Sequence, residues 1–416
     1  MSDWQTYPLG DLIENLDTRR VPIKEADRRR GPYPYYGASG VVDYVDSFRF
    51  EGLHLLIAED GENLRTRRLP IAFLANGKFW VNNHAHVVRG NNKSDTRFLL
   101  YALLTADIAS YLTGSTMPKL TQGNLNRILI LAPEREEQLR IAGALGALDD
   151  KIELNRRMNE TLEATARAIF RDWFVDFGPT NAKMEGREPY LPADLWSLFP
   201  DMIDEALNLP EGWRRTSLSG VADTYSGGTP SKSASAFWGG AIPWISPKVM
   251  NDIHAWDSDE RVTAAAVGNG TRLARSGSVL VMVRGMGLHD GVRISQARRD
   301  VTFNQDVKAL IARSVPDSFL LFGLLDASGF LFEGVESSGH GTGVLPSGRL
   351  ERVQLNLPPD GPLREMSQVL DDLNEKIALN SQESRTLAET RDYLLPKLMS
   401  GEMRIQDVEK IAEAAA

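Results

Sequence analysis

Leu148-Asp149-Asp150-Lys151-Ile152-Glu153-Leu154-Asn155 returns 225 residues later as Leu373-Asn374-Glu375-Lys376-Ile377-Ala378-Leu379-Asn380. Around the first copy, apolar positions step by four and three: Ile141, Leu145, Leu148 and Ile152, then Leu162, Ile169 and Trp173. Around the second they are Met366, Leu370, Leu373, Ile377, Leu387, Leu394 and Leu398. This is a heptad seam, and it predicts two long helices. About 35 residues at about 1.5 Å each make a rod of roughly 50 Å, whose seam stays wet unless the two helices pair. Each seam is interrupted by an asparagine, Asn155 or Asn380. Two readings stand: a polar residue facing solvent, or a buried pair that fixes register at a cost in stability.

The repeat extends outward. Trp4, Leu9 and Pro34-Tyr35 recur at an offset of 209 as Trp213, Leu218 and Pro243-Trp244. Asn83 and Phe98-Leu99-Leu100 recur at 221 as Asn304 and Phe319-Leu320-Leu321. Leu120, Gly123, Leu125, Arg127 and Pro133 recur at 225 as Leu345, Gly348, Leu350, Arg352 and Pro358. The offset grows only in loop-sized steps, so each half is one variable globular segment followed by one better-matched helix. The expected fold class is α+β: two mixed α/β domains joined by two long antiparallel coiled-coil helices, with a pseudo-twofold internal repeat. The expected boundaries are 1–133 and 209–357 for the domains and 134–178 and 358–402 for the helices. Residues 179–208, with four prolines, read as a linker holding a short helix near 195–199, and 403–416 as an acidic, Ala-rich tail. Leu53-His54-Leu55-Leu56-Ile57-Ala58 and Ser278-Val279-Leu280-Val281-Met282-Val283 suit buried strands. Asn76-Gly77 between two apolar runs is a short-hairpin signal.

Composition narrows the function. The 416 residues, 42% hydrophobic and 25% charged, suit two or three globular domains. No apolar run approaches the roughly 18 residues of a membrane span. Met1-Ser2-Asp3-Trp4-Gln5 lacks the basic and apolar regions of a secretory signal. Without cysteine there is no disulfide, thiolate metal site or thiol nucleophile, and a reducing cytoplasm is the expected home. The net charge of −9 is unevenly spread: +2 over 1–133, −7 over 134–208, +1 over 209–356 and −5 over 357–416. The globular segments are therefore near neutral with local basic clusters, and for a phosphate partner the local patch counts.

Catalytic signatures are thin. There is no phosphate-binding Gly-x-x-x-x-Gly-Lys-Ser/Thr loop, and Gly268-Asn269-Gly270 lacks the strand and helix of a dinucleotide turn. Leu357-Pro358-Pro359-Asp360 lacks the aromatic of an amino-methyltransferase loop and punctuates a helix start. His84-Ala85-His86 offers two imidazoles but no third metal ligand nearby in sequence, so packing or base contact is the expected role. Glu59-Asp60-Gly61-Glu62 reads as a turn with solvated acids.

Positive and hydrogen-bonding residues gather instead in probable loops. In the first half the candidate DNA contacts are Arg19, Arg20, Asn63, Arg65, Arg67, Asn82, Asn83, His84 and Lys119. In the second they are Gly227, Gly228, Thr229, Ser231, Lys232, Ser246, Lys248, Arg284, Gln305 and His340. Arginine suits guanine edges and phosphates, Asn and Gln suit adenine edges, and glycine lets a backbone approach a phosphate.

Together these features resemble the specificity subunit of type I restriction-modification systems over essentially the whole length. The telling stretches are Ile169-Phe170-Arg171-Asp172-Trp173-Phe174-Val175-Asp176-Phe177, Tyr393-Leu394-Leu395-Pro396-Lys397-Leu398-Met399-Ser400-Gly401-Glu402, Gly77-Lys78-Phe79-Trp80-Val81-Asn82-Asn83-His84-Ala85-His86 and Ser226-Gly227-Gly228-Thr229-Pro230. Pro133-Glu134-Arg135-Glu136-Glu137-Gln138 looks like the family's Pro-x-x-x-x-Gln helix entry; the second copy departs there, with Pro359-Asp360-Gly361-Pro362-Leu363. The resemblance implies a non-catalytic reader in which two target recognition domains each read one half of a split, asymmetric double-stranded DNA sequence. It implies two modification subunits carrying S-adenosylmethionine and two restriction subunits using ATP and Mg, with no cofactor or metal in this chain and no membrane partner. Trp173, Phe174 and Phe177, if exposed, would be subunit-interface anchors; the alternative is a local core capping the helix end. A protein-binding coiled-coil scaffold and a hydrolase using Glu59, Asp60 or His84 are the competing readings.

Overall fold

The computed structural model describes residues 4–339, 341–408 and 410. The chain forms two compact units, Met1–Leu154 with Glu383–Ala416, and Asn155–Gln382.

The first unit is organised by His54–Ala58, a strand buried along its whole length. It lies inside a four-stranded sheet in the order Ile13–Asn15, Ala85–Gly90, His54–Ala58, Ala72–Ala75. A second four-stranded sheet runs Gly40–Val45, Arg30–Gly37, Lys78–Val81, Phe50–Glu51. Gln5–Pro8 pairs antiparallel with Leu129–Ala132 and closes the domain's ends on each other. Helix Thr96–Thr105 packs Phe98, Leu99 and Leu103 into the core and is capped by Asp95, which accepts from the Phe98 amide at 2.9 Å. Gln138 explains the helix-entry motif. It is buried, its Nε2 donates to Pro133 and Lys93 carbonyls at 2.9 and 3.1 Å, and its Oε1 accepts from the Asp95 amide.

The Asn76-Gly77 signal is not a hairpin tip. Phe50 faces Phe79, Glu51 faces Lys78, His54 faces Ala75 and Ile57 faces Ala72, one unbroken antiparallel register that passes the dipeptide midway. Gly77, at φ +82°, kinks this long ribbon so that its two ends join different sheets. The dipeptide encodes a local backbone bend, whereas pairing is chosen by buried side chains on both partners.

The second unit repeats the plan. Arg214–Ser217 pairs with Gln354–Leu357. Its larger sheet runs Ala222–Ser226, Val307–Ala312, Val279–Met282, Ile294–Ala297, His254–Ala255. The other runs Arg261–Val262, Trp238–Ile245, Val301–Phe303, Arg272–Ala274. Helix Asp317–Asp326, the counterpart of Thr96–Thr105, is apolar all round and buried from Ser318 to Leu325, as such a helix must be. Leu363 stands where the first copy has Gln138, buried and apolar; the helix still starts at Asp360, with Pro362 in the first turn where a missing amide costs little.

The long helices span Arg135–Phe174 and Asp360–Ser400 and pack antiparallel. Within the first unit Lys151 meets Glu383 at 3.1 Å and Asp149 meets Arg391 at 2.7 Å. Within the second, Asn380 donates to Asn159 Oδ1 at 2.9 Å, Asn159 donates to the Ile377 carbonyl at 3.2 Å, and Asn155 reaches the Asn380 carbonyl at 3.4 Å. Asn155 and Asn380 are 0% and 4% exposed, which decides for a buried, register-fixing pair. The same helix position docks each domain: Asp149 accepts from Tyr101 at 2.6 Å, and its counterpart Asn374 accepts from His254 at 2.7 Å.

One expectation is corrected, and two segments prove more ordered than their sequence suggests. Trp173, Phe174 and Phe177 are not exposed anchors. They are 3%, 1% and 9% exposed, packed against Trp213, Phe199 and Phe319 with ring centroids 5.0–5.9 Å apart. Residues 179–208 hold the expected short helix, as Ala193–Ser197, and beside it helix Gly178–Met184 and the pair Ile203–Asp204 with Leu209–Pro210, with Phe199 and Leu209 in the same core. The described part of the tail is not loose either, since Ile405 is buried and Arg404 pairs with Glu137 at 3.1 Å. Aromatic side chains this large are buried wherever a neighbouring chain segment can cover them.

Candidate nucleic-acid interface

In the first unit, Arg30–Gly37 and Lys78–Val81 run parallel, with Tyr35 opposite Trp80. The chain then leaves the sheet through Asn82-Asn83-His84. The Asn82 amide donates to the Tyr36 carbonyl at 3.0 Å, and Asn82 Oδ1 accepts from the His84 amide at 2.8 Å. In the second unit Trp238–Ile245 and Val301–Phe303 run parallel, with Trp244 opposite Thr302. The exit is Asn304-Gln305-Asp306: the Asn304 amide donates to the Ile245 carbonyl at 3.0 Å, and Asn304 Oδ1 accepts from the Asp306 amide at 3.0 Å. The two turns are the same object. They align Asn304 with Asn82, one residue from the Asn83 match of the sequence comparison. A side-chain amide that holds its own turn explains both buried asparagines. Asn83 and Gln305 then stand at equivalent, exposed positions.

A second loop backs each turn. The Glu59 amide donates to the His84 carbonyl at 2.9 Å and the Leu120 amide to the Glu59 carbonyl at 2.8 Å; in the second unit Val283, Asp306 and Leu345 make the same bonds at 2.8 and 2.9 Å. The isolated bridge between Asp60 and Lys119 matches the pairing of Arg284 with Val344. Asp60 and Arg284 are therefore equivalent in position and opposite in charge.

The first turn rests on a buried ionic cluster. His86 Nδ1 faces Asp17 Oδ2 at 2.6 Å and Nε2 faces the Leu120 carbonyl at 2.7 Å. Asp17 also accepts from the Val87 amide at 2.8 Å and lies 3.4 Å from Arg20. Arg20 continues to Glu59 at 2.7 Å and to the Ala85 carbonyl at 2.8 Å. Burial by itself would raise the Asp17 carboxyl, but the hydrogen bond and charge of His86, the Val87 amide and Arg20 hold it below the usual carboxylate range. For Glu59 burial is likewise outweighed, by Arg20, His86 and Lys119.

The structure sorts the candidate contacts. Arg20 is spent in this cluster, and Lys119 reaches Glu59 at 3.2 Å. Asn63 ties its own loop, bonding the Leu69 amide and carbonyl at 2.9 Å each, while Arg67 holds the Leu104 and Ala106 carbonyls at 3.3 and 2.7 Å. Arg19 is exposed, with its guanidinium 5.2 Å from the Phe50 ring and bonded to the Arg49 carbonyl; Arg65 is exposed beside Glu62. His84 is exposed and its Nδ1 meets Asp60 at 2.9 Å. Gly227 and Gly228 serve the fold: a Cβ on either would collide with the carbonyls of Phe303 and Asn304, or of Gly270. Lys232 pairs with Glu260 and lies 3.7 Å from the Trp238 ring, and Ser231 bonds Ser233 at 2.8 Å. Thr229 donates to Gln305 Oε1 at 2.6 Å. Ser246, Lys248 and Arg284 line one recess of about 350 Å³. His340 lies outside the described residues. Asp17, His86 and Arg293 were not legible as partners, because each bonds to residues distant in sequence; Asp306 is found only through the repeat. Among the described residues no group of three or more His, Asp or Glu is arranged to hold a metal ion, and no helix is long and apolar enough to cross a membrane.

Two copies of one α+β frame, each presenting a polar turn at the end of a parallel strand pair, define a duplicated recognition protein. The chain belongs to the family of the type I restriction modification DNA specificity domain, whose model matches residues 1–164 and 210–389. It is 24% identical to the type I restriction enzyme HindI specificity subunit of Haemophilus influenzae, over 97% of this chain and all of that one. It is 26% identical to the MjaIX specificity subunit of Methanocaldococcus jannaschii, over 98% and 95%. A solved type-I restriction-modification S subunit from M. genitalium shares the fold, with a TM-score of 0.62, 16% identity and coverage of 95% and 96%. At this level the chain is a type I specificity subunit, and its task is recognition of DNA sequence.

Proposed function

We propose that this chain is the non-catalytic reader of a type I restriction-modification complex, each domain reading one half of a split, asymmetric site. Two modification subunits then supply S-adenosylmethionine and methylate adenine, and two restriction subunits supply ATP- and Mg-driven motor and nuclease activity. The observation that carries the reading is the duplicated turn, one backbone bearing Asn82-Asn83-His84 in one domain and Asn304-Gln305-Asp306 in the other. A shared frame with unlike side chains is what two unlike half-sites require. Phosphate contacts from exposed Lys and Arg set position and give salt-dependent affinity. Base-edge contacts set sequence, and two short half-sites on one chain add their binding energies.

Both long helices are continuous by chain from one unit to the other, which supports a role in setting the spacer between half-sites. Inserting one heptad into either helix is expected to change or abolish the preferred spacer while each half-site stays intact; a binding selection that returns the original spacing would sink the ruler idea. The direct test is a long-read methylation map of the source organism with and without the gene. Loss of N6-methyladenine at one split motif is expected. An unchanged map in a strain that expresses the gene would turn the reading toward a protein-binding scaffold.

A further inference from the structure

The recess in the second unit opens beside the turn Asn304-Gln305-Asp306, over the buried Met282 and the exposed Met286. Its polar groups divide sharply into spent and free. Arg293 is committed to the Pro247 carbonyl at 2.8 Å and Asn251 Oδ1 at 3.2 Å. The Asp306 carboxylate accepts from Asn304 Nδ2 at 3.2 Å, and Asn304 Oδ1 accepts from the Asp306 amide. Gln305 Oε1 accepts from Thr229, which orients the side chain and leaves its Nε2 hydrogens free. Arg284 and Lys248 are exposed and have no side-chain partner among the described residues. Apart from the Asp306 carboxylate, which keeps acceptor capacity beyond its one bond, what the rim offers an incoming group is donors.

Arg284 is also held unusually firmly for an exposed arginine. It follows Val279–Met282, a strand buried at every position, pairs with Val344, and its amide faces the Asp306 carbonyl at 3.3 Å. Gly285, at φ +137°, turns the chain directly after it. A contact to phosphate does not need a fixed backbone, whereas bidentate reading of a base edge depends on one that holds the guanidinium fork in place. In the major groove guanine presents two acceptors, N7 and O6, that match the guanidinium fork, while adenine sets an amino donor beside N7 and would face Arg284 donor to donor.

Resting on the reading of this chain as a DNA reader, we propose that the recess is a base-reading site of the second domain and that Arg284 selects a guanine in its half-site. The test is a methylation map of a strain whose chromosomal copy carries Arg284→Ala, beside one carrying Arg284→Lys. The alanine variant is expected to lose discrimination at one guanine of the second half-site by about 5- to 150-fold, the first half-site unchanged. Lysine keeps the charge but not the fork, so it is expected to relax the same position. If alanine silences methylation altogether, the purified complex is titrated against duplexes differing only at each guanine. Retained discrimination loss at one position supports the site, and equal weakening on every duplex overturns it. An unchanged motif, with a salt slope of binding reduced by about one, would make Arg284 a phosphate contact and also overturn it. A wild-type strain with no split motif would remove the reader function itself, a result distinct from an unaltered motif in the variants.

Discussion

The two recognition turns share a backbone and differ in what holds it. In the first domain the turn stands on charge: Asp17, Arg20, Glu59 and His86 form one buried network beneath Asn83. At the equivalent places the second domain has Ser226, Thr229, Val283 and Lys308; of their side chains only that of Thr229 bonds the turn, through one hydroxyl, and Lys308 bonds Ser347 instead. Above the turn the difference is reversed. Asp60 is paired with His84 in the first domain, whereas in the second Arg284 has no side-chain partner among the described residues. One frame can thus be supported in two ways and can present opposite charges to the same partner, provided the backbone bonds at 59, 84 and 120, or 283, 306 and 345, are kept.

This contrast can be broken at its base. Asp17→Ala leaves the buried His86 Nδ1 and the Val87 amide without their acceptor, while Arg20 keeps Glu59, and is expected to cost about 1–3 kcal/mol for each orphaned group, read by chemical denaturation. Ser226→Ala, its counterpart, is expected to change stability by less than about 0.5 kcal/mol, as substitutions away from such features do. Equal losses at the two positions would mean that the ionic cluster does not carry the first domain's turn.

Acid should separate the domains in the opposite order. His254, in the second unit, is mostly buried, which pushes its pKa down to about 4 from 6.5 against the opposing hydrogen bond to the Asn374 amide oxygen. An unfolded chain binds that proton first, so the contribution is complete above about pH 6.5 and falls away toward pH 4. Its size is on the order of 3 kcal/mol. Asp17 and Glu59 are held below the ordinary carboxylate range, so their contribution to the first unit is present above about pH 4 and is lost only below it; burial lowers His54 there as it lowers His254, but by less. Hydrogen exchange followed from pH 7 to pH 4 should show the second unit loosening first, and simultaneous loosening would contradict this assignment.

The smallest expected effect sharpens the comparison most. Thr229→Val removes the hydroxyl that orients Gln305 and should cost no more than about 1 kcal/mol of stability. Its signature is a relaxed second half-site in the methylation motif with the first untouched; a motif indistinguishable from wild type would leave Gln305 without a reading role.

The seam residues from Ile141 to Trp173 and from Met366 to Leu398, and the repeat that carries them, were legible because heptad period and offset are properties of the chain alone. So were the buried strands around 54–58 and 279–282, and the helix-entry motif ending in Gln138. Legibility failed wherever a side chain's partner lies far away in sequence. Arg67 and Arg20 look like contacts for a ligand until remote carbonyls and a carboxylate are seen to occupy them. Trp173 and Phe177 look like a sticky helix end until residues 179–213 fold over them.

By itself the sequence determined the duplication, the two paired helices and the class of residue that gathers in the loops, since composition and periodicity need no partner to be read. Only the tertiary structure decided that Asn82 matches Asn304, that Gly227 is required by the protein's own backbone, and that Arg284 has no side-chain partner among the described residues. Those outcomes depend on which polar groups find internal partners on folding, and a hydrogen bond across 69 or 76 residues leaves no periodic trace in the chain.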